Sequence, residues 1–341
     1  MNYLNNTIKA AVAALALAMA APTMADATEL RNASYLPPSH FGTKLMLEPF
    51  FERIAKYTDG AVTVQNFPGG QLASAQGTLD AITSGIANMG MVGIGYVGDT
   101  LPMSTIIEIP GAFTDLRAGY NAYWRLIQDH LLESEFLPRG VRPIMLSLLS
   151  QTQILLAGSP QINSLSDLAG LKIRVPHAAA AEAIAALGMV PVELPTSDLY
   201  LALERGTVDG AVMLTASVPS YKLQEVAHSI TTNLAMGSVG FVEAISEKDW
   251  QKLSAAEQQE ITRAGTETGQ ASVDAMLSVN ARAESTLAES GMKMITLNDS
   301  VLAEIAKALS TVEAKWVERV SARNPKAAEI AAAYRANLAA Q

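Results

Sequence analysis

The sequence contains no cysteine, which excludes disulfide bonds, thiolate zinc sites and cysteine nucleophiles. It also has little positive charge, with 24 lysine and arginine residues against 33 aspartate and glutamate residues and a formal net charge of -9. Binding to a nucleic acid backbone depends on clustered cations, and the sequence has no basic run that would supply them. We therefore expect no nucleic acid partner.

The sequence also lacks the short motifs of common hydrolases. Its histidines, His40, His130, His177 and His228, are scattered and do not form the H-E-x-x-H metal motif. No G-x-S-x-G segment is present to form a nucleophile elbow. We therefore predict no catalytic centre, no metal site and no cofactor, and we keep a hydrolase or lyase with an unrecognised site as an alternative.

One stretch near the N-terminus has the pattern of an export signal. Lys9 precedes an apolar run over residues 10–20, and small residues then offer cleavage sites after Ala25 or Ala27. The run is too short for the ~20 apolar residues that span a bilayer. We therefore predict residues 1–25 as a cleaved signal peptide, a mature protein in the periplasm of a Gram-negative bacterium, and no direct membrane insertion.

Residues 93–98, GIGYVG, have the G-x-G-x-x-G spacing of a dinucleotide-binding turn. Such a turn must open a helix whose N-terminus faces the pyrophosphate, but Pro102 and Pro110 interrupt the residues that follow. Export also argues against a cofactor of the cytosol. We interpret these glycines as positions where the backbone closely approaches another strand or a small ligand.

Strand-like and helix-like segments alternate over residues 28–95 and again over residues 141–213. This order predicts two α/β units, each built on a parallel sheet. In the C-terminal third, Ser254 and Glu257 form a capping box that opens a long helix without proline. At 49% apolar and 17% charged residues, the 341-residue chain is globular and long enough for two cores.

Together these elements predict an α/β, two-domain periplasmic-binding-protein (venus flytrap) fold with a long domain-spanning C-terminal helix. We expect domain I to comprise residues 28–151 plus 240–279, and domain II residues 152–239 plus 280–341. In open α/β sheets, ligands bind beyond the carboxyl ends of the strands, and binding sites often lie between domains. The ligand site is therefore expected in the cleft.

Arg174 lies in the middle of the predicted strand GLKIRVP, next to the apolar residues Ile173 and Val175. A guanidinium group is charged at ordinary pH and is rarely buried without a partner. Its partner is a fixed carboxylate, solvent reached by snorkelling, or the carboxylate of a bound ligand, which the planar guanidinium fits in a bidentate pair. The spacing alone leaves these alternatives open.

Three motifs, FPGGQLASAQGTLDAITSGIANMGMV, SLSDLAGLKIRVP and LYLALERGTVDG, resemble the DctP-type solute receptors of tripartite ATP-independent periplasmic (TRAP) transporters in sequence, order and spacing. The resemblance covers nearly the whole mature chain. It implies a binding protein and not an enzyme, with Arg174 as the residue that binds a small organic carboxylate. It also implies delivery to the membrane permease subunits of a TRAP transporter. A receptor for a chemosensor or an ABC importer is the alternative.

The sequence departs from this family at two positions that bear on the ligand. Family members often carry a second arginine upstream of the anchor, where this chain has Gln153. Many have an asparagine where this chain has Met213. A pocket with one arginine and more apolar lining suits an aromatic or otherwise hydrophobic monocarboxylate. A sugar acid or a C4-dicarboxylate is the alternative.

Further candidate contacts follow strands or glycine turns. Ser39 and His40 follow the first strand, and Tyr96 lies within the glycine motif. For some of them a structural role is an equal alternative, namely core packing for aromatic rings and a solvated helix start for a residue after a strand. The full set of candidates beyond the two family positions and Arg174 is Ser39, His40, Gln76, Tyr96, His177 and Phe241.

Overall fold

The structure, a computed structural model, describes residues 27–341. The predicted signal peptide, residues 1–25, lies outside the described residues. The strands are β1 (Thr28–Ala33), β2 (Val62–Phe67), β3 (Met89–Gly93), β4 (Val141–Leu148), β5 (Gln153–Leu156), β6 (Lys172–Val175), β7 (Val190–Glu193), β8 (Gly210–Met213), β9 (Ser229–Thr231), β10 (Gly240–Ser246) and β11 (Lys293–Ile295). The α-helices are α1 (Glu48–Tyr57), α2 (Thr78–Thr83), α3 (Leu116–Leu126), α4 (Ala178–Ala186), α5 (Leu199–Glu204), α6 (Glu247–Trp250), α7 (Ala255–Glu289), α8 (Asp299–Leu309), α9 (Val312–Ser321) and α10 (Ala327–Ala339).

The strands form two sheets, one in each domain. The first sheet, in domain I, has the order β2-β1-β3-β10-β4, and the second sheet, in domain II, has the order β11-β9-β5-β8-β6-β7. The chain therefore leaves the first sheet after β4, builds β5 to β9 in the second sheet, and returns as β10. This arrangement confirms the predicted α/β flytrap fold.

The predicted parallel pairing holds for only part of each sheet. β1 pairs in parallel with β2 and β3, and β6 pairs in parallel with β7 and β8. However, β10 runs antiparallel to β3 and β4, and β5 runs antiparallel to β8 and β9. Local sequence patterns do not reveal the direction in which these strands pair, because β5 and β10 enter their sheets where the chain crosses between the domains.

Apolar periodicity explains the elements that carry the cleft. All residues of β3 are buried, as expected for the central strand of a covered sheet. Helix α1 buries Phe50, Phe51 and Ile54 on one face. At the start of α7, Ser254 Oγ accepts from the Glu257 amide at 3.3 Å, and Glu257 Oε2 accepts from the Ser254 amide at 2.6 Å. This confirms the predicted capping box.

Helix α7 runs along domain I and reaches domain II. It crosses β4 at Gly265, where a Cβ atom would overlap the carbonyl oxygen of Ile144, so only glycine fits there. Near its other end, Leu287 packs in a core cluster with Leu155 and Ile230 of the second sheet. The helix therefore has the domain-spanning position that the sequence predicted.

The helices after α7 divide between the two cores. Ile305 of α8 packs in the core of the second sheet, but Val312 and Trp316 of α9 and Tyr334 of α10 pack in the core of the first. Our sequence-based boundary placed all of residues 280–341 in domain II, whereas the structure puts α9 and α10 on domain I. Periodicity reveals the apolar face of a helix but not the surface that covers it. Within residues 27–341, no helix is long and apolar enough to cross a bilayer.

Candidate ligand-binding cleft

A cavity lies between the two sheets, beyond the carboxyl ends of β3 and β6. It encloses about 620 Å³ of empty space, its open mouth included. Gly93 and Tyr96 contribute to its wall from domain I, and Arg174 and His177 contribute from domain II. The cavity is therefore the interdomain cleft where the fold predicts a ligand.

Arg174 is held in place by groups of domain II. Its Nε donates to the carbonyl of Leu194 at 2.8 Å, Nη1 to the carbonyl of Val212 at 3.3 Å, and Nη2 to Thr196 Oγ1 at 2.9 Å. These bonds use three of the five N–H groups of a guanidinium. They fix its orientation before any ligand arrives, and N–H groups remain to face the cavity.

The side chain of Arg174 is buried, with 2% of the residue exposed. In the described part of the chain it forms no salt bridge with a carboxylate. Burial lowers the pKa of Arg174, while nearby Tyr96, Tyr221 and Glu193 raise it, and a guanidinium still carries its charge at neutral pH. A buried cation without a fixed anion is available to pair with an anion that enters the cavity.

Aromatic rings form much of the remaining wall. Tyr35 contacts Tyr96 edge-to-face, with ring centroids 5.6 Å apart, and Phe241 in a tilted arrangement at 6.4 Å. Tyr221 lies opposite and contacts the ring of His40 at 5.6 Å. The rest of the apolar lining includes Leu36, Leu149, Met213, Leu214 and Val239. Such a wall favours a flat or otherwise apolar ligand body.

Two histidines in the cavity wall are neutral. Burial lowers the pKa of His40 to about 4, and its Nδ1 accepts from the Gly42 amide at 3.0 Å. Burial, with help from Arg174 and Arg319, lowers the pKa of His177 to about 3. Among the described side chains that line the cavity, Arg174 alone is therefore positively charged.

His177 is the N-cap of α4, where its Nδ1 accepts from the Ala180 amide at 3.3 Å. A helix start explains its position after β6, and the imidazole also lines the cavity. His177 therefore starts a helix and also lines the cleft. It is buried, whereas the sequence alternative was a helix start exposed to solvent.

The glycine motif forms the floor on the side of domain I. A Cβ atom on Gly93 would lie 2.6 Å from the Tyr35 hydroxyl, and one on Gly95 would lie 2.7 Å from Glu108 Oε1. Both contacts are too close for a side chain, so these glycines let polar side chains approach the backbone. This agrees with our interpretation of the motif as a point of close approach.

Two contacts join the domains beside the cavity. The hydroxyl of Tyr96 lies 3.1 Å from Thr196 Oγ1. Arg319 of α9 donates from Nε to Glu182 of α4 at 2.8 Å. Because both contacts need the cleft to be narrow, the structure represents a closed form of the protein.

A second, more polar cavity adjoins the first. Gly95, Tyr96, Glu108 and His177 line both cavities, and Arg319 lines the second. Glu108 lies at their boundary and is fully buried. Burial raises the pKa of Glu108 well above its ordinary value, although Arg319 and the Gly95 amide act in the opposite direction.

The structure brings several of the candidates from the sequence together at this cavity and leaves others outside it. Those that line it are His40, Tyr96, Arg174, His177, Met213 and Phe241. Ser39 and Gln76 are exposed and do not line it. Gln153 is buried but turned away, because its Oε1 accepts from Thr231 Oγ1 and the Leu234 amide, each at 3.0 Å, and its Nε2 donates to the Leu234 carbonyl at 2.8 Å.

Sequence reasoning missed many residues of the cavity wall, among them Tyr35, Glu108, Thr196 and Tyr221. Tyr35 follows β1 directly, and its position at the carboxyl end of a strand was a usable signal. Thr196 follows β7 in the same way. Glu108 and Tyr221 lie in short irregular helical segments, where no periodic pattern marks them. In the described residues there is no cluster of three or more histidine, aspartate or glutamate side chains suited to a metal ion.

Comparison with protein families gives one extensive match. The model described as "Bacterial extracellular solute-binding protein, family 7" matches residues 33–319. The outer membrane transporter protein TsaT of Comamonas testosteroni is 24% identical over 332 residues, 96% of this chain and 97% of that protein. The C4-dicarboxylate-binding periplasmic protein DctP of Rhodobacter capsulatus is 27% identical over 252 residues, 71% of this chain and 72% of that protein.

Solved structures share the whole fold. A TRAP solute-binding protein of Rhodoferax ferrireducens with copurified benzoate has a TM-score of 0.84 at 21% identity, covering 92% of this chain and 98% of that one. One from a marine metagenome, with 3-hydroxybenzoate, has a TM-score of 0.86 at 20% identity, covering 92% and 99%. One from Sulfitobacter, with β-D-galacturonate, has a TM-score of 0.77 at 18% identity, covering 90% and 99%.

Proposed function

The chain belongs to family 7 of the bacterial extracellular solute-binding proteins, the DctP-type receptors of TRAP transporters, and we propose that its cleft captures an aromatic or otherwise hydrophobic monocarboxylate. Members of this family bind solutes for transporters and do not transform them. The protein binds its ligand between the domains, closes over it, and delivers it to the membrane permease subunits of a TRAP transporter. We also propose that it works in the periplasm, after cleavage of residues 1–25.

The observation that carries this proposal is the buried, unpaired guanidinium of Arg174 facing an aromatic wall. The guanidinium supplies the bidentate partner that a single carboxylate needs. Tyr35, Tyr96 and Phe241 supply the surface for an apolar body. A ligand of this form satisfies the cation and fills the apolar space at once.

The same lining argues against the alternative ligands. A C4-dicarboxylate carries a second charge, but no second cation lines the cavity among the described residues. A sugar acid carries several hydroxyl groups, and most of them would lack partners because the exposed lining of the cavity is mainly apolar. The similar structures that hold benzoate and 3-hydroxybenzoate support the aromatic choice, whereas the one with galacturonate shows that the fold also accepts sugar acids.

Closure is stabilised when the ligand contacts both domains, which it can do only in the closed form. The anchor lies on domain II, and the aromatic wall comes largely from domain I. A ligand that touches both therefore binds the closed form better and shifts the equilibrium toward it. The permease can then recognise the closed form as the loaded one.

Mass spectrometry of small molecules released by denaturing the purified mature protein tests this function. We expect an aromatic or hydrophobic monocarboxylate, returned chemically unchanged. A thermal-shift screen with benzoate, phenylacetate, indole-3-acetate, succinate and galacturonate then ranks the classes. Stabilisation by succinate or galacturonate alone would refute the ligand class, and conversion of the ligand during incubation would favour an enzyme.

A further inference from the structure

Glu108 is a buried acid that no protein group satisfies. It ends the short helical segment Met103–Glu108 of domain I, with 0% of the residue exposed. Neither carboxyl oxygen has a hydrogen-bond partner within the described part of the chain. The side chain lines the main cavity as well as the polar one beside it. It therefore offers its oxygens to whatever fills the cleft.

The neighbouring titratable groups do not supply the missing partner. His177 Nδ1 lies 3.5 Å from Glu108 Oε2, beyond a good hydrogen bond, and its lone pair already accepts from an amide of α4. Tyr123 directs its hydroxyl hydrogen to the Ser104 carbonyl at 2.7 Å. Arg319 of α9 bonds Glu182 through Nε, and its Nη2, which has no hydrogen-bond partner in the described residues, does not bond Glu108 either.

The remaining neighbours are the Gly95 amide and the Tyr35 hydroxyl. The amide lies close enough to lower the pKa of Glu108, but it does not reach hydrogen-bond geometry. The Tyr35 hydroxyl is itself buried without a partner. Burial is the largest influence on the pKa of Glu108 and raises it, which favours the protonated form with its one donor and one acceptor.

A second glutamate, which bonds the other end of the same segment, shows how the fold treats a structural acid. Glu135 is buried and accepts from the Met103 amide at 2.7 Å, from the Ser104 amide at 2.9 Å and from the Ser104 hydroxyl at 2.5 Å. Those three bonds cap the start of the helical segment that Glu108 ends. Glu108, at the end that faces the cleft, is left without any.

We propose that Glu108 hydrogen-bonds to a hydroxyl group on the body of the ligand, so that hydroxy-substituted carboxylic acids are preferred to their unsubstituted parents. The inference rests on the proposed function, because it takes the ligand carboxylate to lie at Arg174. A hydroxyl group donates and accepts, which matches a protonated carboxyl. An ammonium group would need Glu108 ionised, and a second carboxylate would leave its charge without a cation.

Isothermal titration calorimetry at pH 7 on matched pairs of acids tests the proposal. The pairs are 3-hydroxybenzoate with benzoate, mandelate with phenylacetate, and lactate with propionate. We expect the wild-type protein to favour the hydroxylated member of at least one pair by about tenfold, since a site built to bond a hydroxyl group rejects the analogue that lacks it. Glu108→Leu removes the preference, and Glu108→Gln, whose amide donates and accepts, keeps most of it.

Glu243 provides the matched control. It is also a fully buried glutamate with both oxygens unpartnered in the described structure, but it does not line either cavity. Glu243→Leu therefore removes the same kind of group and leaves the preference unchanged. Thermal melts of each variant verify folding, and the wild-type comparison remains decisive even if Glu108→Leu does not fold.

The outcomes separate this inference from the proposed function. Binding of benzoate or phenylacetate without a hydroxyl preference, or a preference that survives in Glu108→Leu, overturns the role of Glu108 and leaves the aromatic receptor standing. Preference for lactate alone, lost in Glu108→Leu, supports Glu108 and refutes the aromatic class. Binding of none of these acids overturns both.

Discussion

The hydroxyl groups of Tyr96 and Thr196 lie 3.1 Å apart and join the two domains directly above the proposed anchor. Thr196 Oγ1 also accepts from Arg174 Nη2 at 2.9 Å. One threonine hydroxyl therefore holds the cation in place and touches the opposite domain when the cleft is closed. In the proposed mechanism, ligand binding and closure therefore involve the same threonine hydroxyl.

Tyr96→Phe tests this link because it keeps the ring and removes the interdomain bond. We expect affinity for every carboxylate ligand to fall by a similar factor, about two- to tenfold, the value of one neutral hydrogen bond. Calorimetry with two unrelated ligands measures it. Tyr200→Phe is the control, since the Tyr200 hydroxyl bonds Glu225 on the surface of domain II. Unchanged affinity in Tyr96→Phe would show that the contact does not stabilise the closed form.

Arg174→Lys tests the anchor while keeping the positive charge. Lysine cannot reproduce the fork that bonds Leu194, Val212 and Thr196 and still leaves N–H groups for a ligand. We expect affinity to fall about ten- to a hundredfold, the range for hydrogen bonds to charged groups. Arg142→Lys, at an ion pair with Glu247 away from the cleft, is expected to bind normally. Wild-type affinity in Arg174→Lys would remove bidentate pairing from the mechanism.

Glu243 gives a prediction for the pH dependence of stability. Burial raises the pKa of Glu243 well above its ordinary value of 4.5. The folded protein therefore binds more protons than the unfolded chain above about pH 4.5, and the stability of the wild type falls as the pH rises from there. Glu243→Leu removes this loss. We expect its gain in melting temperature over wild type to increase between pH 5 and pH 8.

Glu247→Gln provides a comparison of opposite sign. Partial burial by itself would raise the pKa of Glu247, but hydrogen bonds from Arg142 and Gln251 bring the pKa below its ordinary value. Its contribution is present above about pH 4.5 and is lost as the pH falls through the folded pKa. The variant is therefore less stable at pH 7 and matches the wild type in acid. Parallel pH profiles for both variants would contradict the assigned environments.

Gly265→Ala tests the contact between α7 and β4. In an open helix this change stabilises by about 1 kcal/mol through propensity. Here the new Cβ would overlap the Ile144 carbonyl oxygen, which belongs to a strand and cannot move aside. We expect net destabilisation of about 1–3 kcal/mol, measured by urea unfolding. Thr262→Ala, exposed on the same helix, is the control, and a more stable Gly265→Ala would refute the contact.

The sequence was sufficient to predict the fold class because the signals that fix it are local. A capping box marked the start of α7 at Ser254, and glycines or prolines marked most strand ends. Arg174 was identifiable because a charged residue interrupts an apolar strand. Each of these signals can be recognised from residues that are close together in the sequence.

The rest of the site depends on contacts between distant segments. Gln153 has the position of a ligand contact, but its amide is used by Thr231 and Leu234, which lie far along the chain. Glu108 and Tyr221 reach the cavity from irregular segments whose direction no periodicity reveals. Such residues become visible only when the two domains are placed together.

The positions of α8, α9 and α10 also determine when each hydrophobic core can be completed during synthesis of the chain. Ile305 completes the core of the second sheet, whereas Trp316 and Tyr334 complete the core of the first. A nascent chain therefore cannot complete the core of the second sheet before α8, or the core of the first sheet before α10, has been synthesised. Premature termination before α8 would therefore leave the cores of both domains incomplete.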